Sequence, residues 1–216
     1  MKIDVVITSN TQPRHEQMLI NCIDTLRASE TRHSFNIIVV ESTDKVFDAG
    51  QDKTVLFDLP KYNCNHAIKQ GIALGTTDWI ALASNDLIWC QGWFSKILEA
   101  DAIRPDIRSW GTWSNLHNWH PNIFPNAPWI IEGYRTSCEL SGWNIVTHRS
   151  VLDTIDLRET VDFWYSDNIY ADELQKHGIK HALVRDAVVN HLLSQTMNLS
   201  EEDKAAALIQ YYLAKD

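Results

Sequence analysis

The segment from Asp78 to Phe94 holds the clearest chemical signal in the sequence. Its apolar run, Trp79 to Ala83, ends abruptly in Ser84-Asn85-Asp86. Polar residues that end a buried strand of an open α/β sheet normally lie at the edge where such sheets bind ligands. A carboxylate that faces a diphosphate there needs a divalent cation between the two negative charges, and Mg²⁺ or Mn²⁺ shares its shell with substrate phosphates. We predict that Asp86 holds Mn²⁺ or Mg²⁺, with His191 as the second protein ligand.

Asp167 is the candidate general base. It lies in the aromatic segment Phe163-Trp164-Tyr165-Ser166-Asp167, and desolvation among aromatic neighbours raises the pKa of a carboxylate. A raised pKa suits a group that takes the proton of a hydroxyl. The alternative is an acid that stabilises the first turn of a helix. Asp172 is the second candidate base, although its position is typical of an exposed helical acid.

The bulk composition limits the classes of function. The chain has 216 residues, of which 44% are hydrophobic, enough for one domain with a full core. A formal net charge of −9 with scattered basic residues argues against extensive binding to a nucleic-acid backbone. No apolar run approaches the ~18 residues of a membrane span, and the N-terminus is typical of a first strand rather than a signal peptide. The four cysteines have no CxxC spacing, which favours free thiols in the cytoplasm.

Alternating strand and helix patterns predict the elements that position these residues. Apolar and β-branched runs indicate strands, and apolar residues at helical spacing indicate helices. The predicted strands are 3–8, 35–40, 55–57, 79–83, 109–113, 142–147, 181–184 and 187–189. The predicted helices are 15–28, 62–74, 92–100 and 149–155, then 161–177 as a helix or a loop that enters one, and a terminal helix that begins at Ser200. This order predicts an α/β fold with a mostly parallel sheet flanked by helices.

The stretch from Arg108 to Gly142 is rich in tryptophan and proline and has no clean period after its first strand. Irregular segments of this length usually bind or cover a ligand. Aromatic faces stack on sugar C–H surfaces or on bases. Five tryptophans are therefore candidates for the site, with core packing as the alternative: Trp113, Trp119, Trp129, Trp143 and Trp164.

Short motifs follow one another in a characteristic order over roughly residues 3 to 195. They are Val5-Val6-Ile7-Thr8-Ser9-Asn10, Ile38-Val39-Val40-Glu41-Ser42-Thr43, the helix from Asn65 to Gly75, Ser84-Asn85-Asp86, Gly92-Trp93, Ser141-Gly142-Trp143 with Arg149, Ser166-Asp167, and His191 on a late strand. In this order the sequence resembles the GT-A fold glycosyltransferases of the large family 2 type. Two positions depart from the family pattern. Ser84 occupies the position of the first acid of Asp-x-Asp, and Ser166 occupies the position of the Glu of a Glu-Asp pair.

The resemblance implies a Rossmann-like GT-A fold and a set of ligand contacts. Asp86 and His191 take the metal, and Asp167 takes the base position. The residues placed at the nucleotide donor are Thr8, Asn10, Glu41, Asn65, Lys69, Ser84 and Asn85. The domain boundaries implied are a single domain of 1–216, with a nucleotide half at 1–100, an acceptor and catalytic half at 101–195 and a C-terminal helix at 196–216.

The predicted activity is metal-dependent, inverting transfer of a hexosyl or pentosyl group from a nucleotide sugar, UDP-linked by preference, to an acceptor hydroxyl. The acceptor class stays open among a glycan, a small molecule, a lipid-linked sugar, a protein and a hydroxylated base in phage DNA. A nucleotidyltransferase is the first alternative, but the loop after the first strand lacks the glycines typical of that class. A non-catalytic sugar-binding module is the second, and it leaves Asp86, Asp167 and His191 without a joint role.

Overall fold

The computed structural model describes residues 1–192 and 201–213, and in these residues nine strands form one sheet with helices on both faces. The strands are β1 (Lys2–Ser9), β2 (Ser34–Glu41), β3 (Lys53–Leu56), β4 (Trp79–Ser84), β5 (Leu87–Trp89), β6 (Ile107–Trp113), β7 (Ile130–Glu132), β8 (Asn144–His148) and β9 (Lys180–His191). The helices are α1 (Glu16–Ala28), α2 (Cys64–Leu74), α3 (Trp93–Ile103), α4 (Trp119–Ile123), α5 (Arg149–Leu152), α6 (Ser166–Lys176) and α7 (Glu201–Leu213). The strand order is β3-β2-β1-β4-β8-β6-β9-β5, and β7 pairs with β9. Ser200, the predicted start of the last helix, lies outside the described residues.

The first half of the sheet is parallel. Strands β3, β2, β1 and β4 all run in one direction, so their carboxyl ends meet at one edge. Successive side chains of a strand point to opposite faces. In β1, Val5 and Ile7 pack in the core cluster that includes α1 and α3, whereas Val6 packs with α2. Both faces are therefore covered, which explains the uninterrupted apolar run of β1. The predicted α/β class with a mostly parallel sheet flanked by helices is confirmed.

The second half of the sheet brings distant parts of the chain together. Strand β8 lies antiparallel between β4 and β6, and β9 is parallel to β6 but antiparallel to β5 and β7. The short strand β5 begins directly after Asp86, and its register pairs Leu87 with His191. This pairing places the last residue of β9 next to the polar end of β4.

Strand β9 differs from the prediction of two separate strands. It is continuous, and its register with β6 moves from Thr112–Val184 to Trp113–Val188. Such a shift is a bulge, and it accommodates the charged residues Arg185 and Asp186, which interrupt the apolar pattern in the sequence.

Helix α6 is shorter than the whole predicted segment: it begins at Ser166, and 161–165 form the loop that enters it, which is one of the two predicted alternatives. Tyr165 has a φ of 69°, a left-handed conformation that a helix interior does not contain. Helix α5 is also shorter than predicted and ends at Leu152. Strands β5 and β7 were not predicted, because three residues are too few to show a period of two.

A buried carboxylate ties the start of the sheet to two loops. Asp4, which is fully buried in β1, accepts hydrogen bonds from the Asn36 amide (2.6 Å), the Thr77 backbone N–H (2.8 Å) and the Arg149 guanidinium (2.9 Å). Burial opposes ionisation of Asp4, but the hydrogen bonds from Thr77 and Asn36 outweigh it and lower its pKa. A methyl group at Gly75 would clash with the Asp4 carboxylate, so this close approach requires glycine.

In the part of the chain that the structure describes, no helix combines the length and the apolar character needed to traverse a bilayer.

Candidate active site

A cavity of about 1150 Å³ opens at the carboxyl edge of β1 and β4, and residues of α6, α7 and β9 line its other walls. Small-molecule sites usually enclose roughly 300–1,000 Å³, so this cavity has room for two reactants side by side. Seven of the ten predicted site residues line it: Thr8, Asn10, Ser84, Asn85, Asp86, Asp167 and His191.

The two predicted metal ligands lie side by side in the cavity wall. The Oδ2 atom of Asp86 is 3.3 Å from Nε2 of His191. The Ser84 hydroxyl donates a hydrogen bond of 2.6 Å to Oδ1 of Asp86, which orients the carboxylate. Asp86 is only 2% exposed. The pairing of Leu87 with His191 produces this contact, because it aligns the end of β9 with the start of β5.

The donor set fits a hard divalent cation that a substrate completes. Asp86 supplies a carboxylate oxygen and His191 an imidazole nitrogen, and both belong to the ligands that Mn²⁺ accepts. Within residues 1–192 and 201–213, no group of three or more His, Cys, Asp and Glu side chains is placed to hold a metal. A shell with two protein ligands leaves the remaining positions to phosphate oxygens and water, as is usual for cations that bind together with nucleotides.

Asp167 lies in the first turn of α6, on the wall that α6 contributes to the cavity. Its Oδ2 accepts a hydrogen bond of 3.3 Å from the Gly142 backbone N–H, and its Oδ1 accepts one of 3.0 Å from the Asn168 N–H. Desolvation in the cavity wall outweighs these backbone hydrogen bonds and raises the pKa of Asp167. The other candidate base, Asp172, accepts a hydrogen bond of 2.6 Å from the Tyr211 hydroxyl and does not line the cavity.

Residues of the loop that follows β1 also line the cavity. The Asn85 amide donates to the Ser9 hydroxyl (3.0 Å), which also contacts the Thr11 hydroxyl (2.8 Å). The Asn10 carbonyl lies 3.1 Å from Nδ1 of His15. These contacts hold Thr8 and Asn10 at the cavity surface.

The other three predicted nucleotide contacts do not line the cavity. Glu41 is buried, and its Oε1 accepts hydrogen bonds from the Thr11 and Thr43 backbone N–H groups at 2.9 and 3.0 Å. It therefore joins the loops that follow β1 and β2. Asn65 donates to the Arg158 carbonyl (2.8 Å), and Lys69 pairs with Glu159 (3.0 Å), so both connect α2 to the loop before α6.

The five candidate tryptophans divide into two groups. Trp119, Trp143 and Trp164 line the cavity, as aromatic surfaces for a ring would. Trp113 is buried against His120 and Phe124, and Trp129 packs against the core. The position of each ring depends on a loop path that the sequence does not specify.

Several cavity residues were not predicted from the sequence. Tyr62 and His15 line the cavity together with the β1 loop, and Ala206, Ala207 and Gln210 of α7 also line it. The helical spacing of the three α7 residues is visible in the sequence and marks one face of the helix, but the place where the helix docks is not. The thiol of Cys64 also faces the cavity, and burial raises its pKa to about 11, so it is not a nucleophile at neutral pH.

The sequence matches no family model and no curated protein. Solved structures are nevertheless similar over almost the whole chain. A mannosyltransferase from Pyrobaculum calidifontis in complex with GDP-Man and Mn²⁺ has a TM-score of 0.70 at 13% identity, and the match covers 99% of this chain and 63% of that one. Glucosyl-3-phosphoglycerate synthase from Mycobacterium tuberculosis, in complex with Mn²⁺, UDP and glucosyl-3-phosphoglycerate, has a TM-score of 0.63 at 14% identity, with 95% and 75% covered.

The present chain spans less than two thirds of the length of the mannosyltransferase. At these identities the likeness establishes the backbone arrangement and not the reaction. The chain has the GT-A fold.

Proposed function

We propose that this protein is a metal-dependent glycosyltransferase that moves a hexosyl or pentosyl group from a nucleotide sugar to an acceptor hydroxyl with inversion. The observation that carries the proposal is the contact of 3.3 Å between Asp86 and His191, in a cavity that also contains Asp167. Side chains from β4–β5, β9 and α6 meet there, each suited to one step of glycosyl transfer. The proposal covers residues 1–216 as a single domain, supported by the one sheet that runs through its described part.

Asp86 and His191 are the proposed ligands of Mn²⁺ or Mg²⁺. When bound, the cation supplies charge stabilisation for the departing diphosphate. Ser84 fixes the orientation of the Asp86 carboxylate through its hydrogen bond of 2.6 Å. The β1 loop residues Thr8 and Asn10, with Asn85, form the proposed surface for the nucleotide.

Asp167 is the proposed base. It takes the proton of the acceptor hydroxyl as the hydroxyl oxygen forms a bond to the anomeric carbon and the bond to the leaving diphosphate breaks. Its raised pKa supports this role, because a carboxylate of higher pKa accepts a proton more readily. Glu41, Asn65 and Lys69 take a supporting role in this proposal, since their contacts hold loops rather than line the cavity.

UDP is the proposed nucleotide, and the similar structures contain GDP-Man in one case and UDP in the other. A thermal-shift screen of UDP- and GDP-sugars, with and without Mn²⁺, tests the donor, because a ligand that binds the folded state raises the melting temperature. We expect a shift that requires both a nucleotide and the cation.

Calorimetry of the nucleotide found in that screen then tests the metal ligands. We expect Asp86→Ala to abolish the dependence of affinity on Mn²⁺, and His191→Ala to weaken Mn²⁺-dependent binding while the melting temperature stays near that of the wild type. Asp186→Ala is the control, since this exposed acid on β9 lies outside the cavity. Equal affinities for the wild type and Asp86→Ala, with Mn²⁺ and with chelator, contradict the metal role.

A further inference from the structure

The segment Gly142-Trp143 touches both chemical centres of the cavity. It lies directly before β8, and both residues line the cavity wall. We propose that Gly142 and Trp143 form a brace that positions Asp167 relative to the Asp86–His191 pair, Gly142 acting on the base and Trp143 on the metal ligands. This inference rests on the proposed function, and it assigns positioning roles to two residues that do not themselves react.

The contact with the base is made by the backbone of Gly142. Its N–H donates to Oδ2 of Asp167 at 3.3 Å. A Cβ atom at Gly142 would lie 3.1 Å from Cβ and 3.4 Å from Cγ of Asp167, so any side chain here pushes the carboxylate away by a few tenths of an ångström. Glycine at this position therefore lets the Asp167 carboxylate lie close to the backbone of the segment that contacts Asp86 and His191.

Two contacts connect Trp143 to the metal ligands. Its carbonyl accepts a hydrogen bond of 3.0 Å from the Ser84 N–H, and the Ser84 hydroxyl in turn donates to Asp86. Its indole ring stacks on the imidazole of His191, with ring centroids 5.4 Å apart and planes inclined by 7°. Trp143 therefore contacts His191 directly through its ring. It acts on Asp86 indirectly, because its carbonyl binds the Ser84 backbone and the Ser84 side chain orients the Asp86 carboxylate.

The sheet holds the brace in place. Asn144, the first residue of β8, is 1% exposed and donates from its amide to the Thr112 hydroxyl of β6 at 2.9 Å. Its backbone N–H donates to the Ser141 carbonyl at 3.2 Å, which closes a turn around Gly142 and Trp143. The brace is therefore anchored to the central strands, and a shift in either residue is passed to the side chain that it contacts.

The roles of the two residues are separable by experiment. For Trp143, the variants are Trp143→Leu, which removes the ring, and Trp143→Phe, which keeps a smaller one. We expect Trp143→Leu to weaken Mn²⁺-dependent nucleotide binding about 10-fold, in the range typical of residues that support a metal ligand, and Trp143→Phe to restore most of it. Trp129→Leu is the matched control, since this partly buried tryptophan packs against the core and does not line the cavity.

A spectroscopic readout tests the stacking without any ligand. In histidine-labelled protein, the ring current of Trp143 shifts the carbon-bound ring protons of His191 upfield. These signals, assigned with His191→Ala, should move downfield in Trp143→Leu and partly so in Trp143→Phe, and stay in place in Trp129→Leu. Unchanged signals in Trp143→Leu overturn the stacking role.

For Gly142, the variant is Gly142→Ala, measured by nucleotide release from the sugar donor that the thermal-shift screen selects. A misplacement of about 1 Å can cost about 10²-fold in rate, so a shift of a few tenths of an ångström should lower turnover by about 10-fold. We expect nucleotide affinity with Mn²⁺ to stay near that of the wild type, because Gly142 contacts the base and not the proposed metal ligands. A longer bond from the Gly142 N–H also stabilises the charged carboxylate less, so the acidic limb of the rate profile should move to higher pH.

The failure of the brace and the failure of the proposed function give different results. A wild-type protein that binds no nucleotide with Mn²⁺ overturns the proposed function. A wild type that binds, together with a Trp143→Leu variant that binds equally well or a Trp129→Leu variant that loses as much, overturns the role of Trp143. A Gly142→Ala variant with wild-type turnover and an unmoved pH profile overturns the role of Gly142.

Discussion

At the scale of single residues, the two candidate functional carboxylates of the cavity lie in different surroundings. Asp86 accepts a hydrogen bond from the Ser84 hydroxyl and contacts the His191 imidazole. Asp167 accepts hydrogen bonds from the Gly142 and Asn168 backbone N–H groups. Environments that differ in this way let two residues of the same type take different chemical roles in one site.

The replacement of Asp167 by asparagine separates catalysis from binding. Asparagine keeps the size of the side chain but cannot take a proton, so turnover should fall by about 10²–10⁴-fold. Nucleotide affinity, measured by calorimetry with Mn²⁺, should stay near the wild-type value. Asp172→Asn is the control, because Asp172 binds the Tyr211 hydroxyl outside the cavity. An Asp167→Asn variant with normal turnover refutes the assignment of the base, and loss of turnover in Asp172→Asn alone transfers it.

The pH dependence of turnover should reflect the same carboxylate. A base must be deprotonated, so kcat/KM falls as the pH drops through the pKa of Asp167. Burial raises that pKa above the ordinary value of 3.8, and the acidic limb should therefore lie at a pH above 3.8. A rate profile measured on the wild type checks this, over a range in which circular dichroism shows the protein to be folded. A limb at or below the ordinary value indicates a different base.

At the scale of elements, strand ends and loop anchors decide which side chains meet. The pairing of Leu87 with His191 brings Asp86 and His191 together, and the Asp4–Arg149 contact holds the start of α5 to β1. The Asp4 carboxylate is fully buried, whereas the Arg149 side chain is 23% exposed. Asp4 therefore depends on its partners to remain ionised inside the sheet.

The Arg149→Met variant tests this anchor. Removal of one partner of a buried ion pair leaves an uncompensated charge, so we expect the free energy of unfolding to fall by about 3 kcal/mol. Arg27→Met is the control, because the Arg27–Asp52 pair is exposed, with 50% and 44% of the side chains accessible, and such pairs contribute about 0–1 kcal/mol. Urea denaturation at neutral pH measures both. Equal losses for the two variants show that the Asp4–Arg149 pair has no special weight.

The sequence predicts long, periodic elements better than the contacts between them. The apolar runs of β1, β2 and β4 and the stripe of α1 were predicted because burial on defined faces leaves a repeating pattern. Strand β5 was not, since three residues carry no period, and yet it aligns Asp86 with His191. The prediction that Asp86 and His191 act together was supported instead by the resemblance of the sequence motifs to the family pattern. The contact of Trp143 with His191 depends on the register of β8 against β4, which no local pattern in the sequence specifies.

At the scale of the whole molecule, two buried histidines fasten the tryptophan-rich loop to the sheet. His120 accepts a hydrogen bond at Nδ1 from the Ser114 N–H (2.7 Å), so its Nε2 carries the proton that it donates to the Cys138 carbonyl (3.1 Å). His181 of β9 lies at Nε2 3.0 Å from the Glu139 carbonyl and at Nδ1 2.8 Å from the Ser109 hydroxyl, contacts that the same tautomer satisfies. Two neutral imidazoles thus hold consecutive carbonyls beside the cavity.

These histidines should make the protein sensitive to mild acid. Burial lowers the pKa of both His120 and His181 from 6.5 to about 4, so the folded state binds fewer protons than the unfolded state between these values. The contribution of these two histidines to stability is therefore constant above pH 6.5 and falls as the pH drops from about 6.5 to about 4, by up to roughly 3 kcal/mol for each histidine.

Urea unfolding of the wild type and of His181→Gln across this pH range measures the effect. The variant loses stability at neutral pH, but its stability should decrease less steeply with acid, because one of the two groups that resist protonation is gone.

His66→Gln is a control with the opposite expected pH dependence. Burial alone would lower the pKa of His66, but hydrogen bonds to Asp58 and Glu159 outweigh it and raise the pKa above 6.5. His66 therefore stabilises the fold below pH 6.5 and loses that contribution as the pH rises through its raised pKa, so His66→Gln should be destabilised more in mild acid than at alkaline pH. Identical slopes for the wild type and His181→Gln would place the acid sensitivity elsewhere in the molecule.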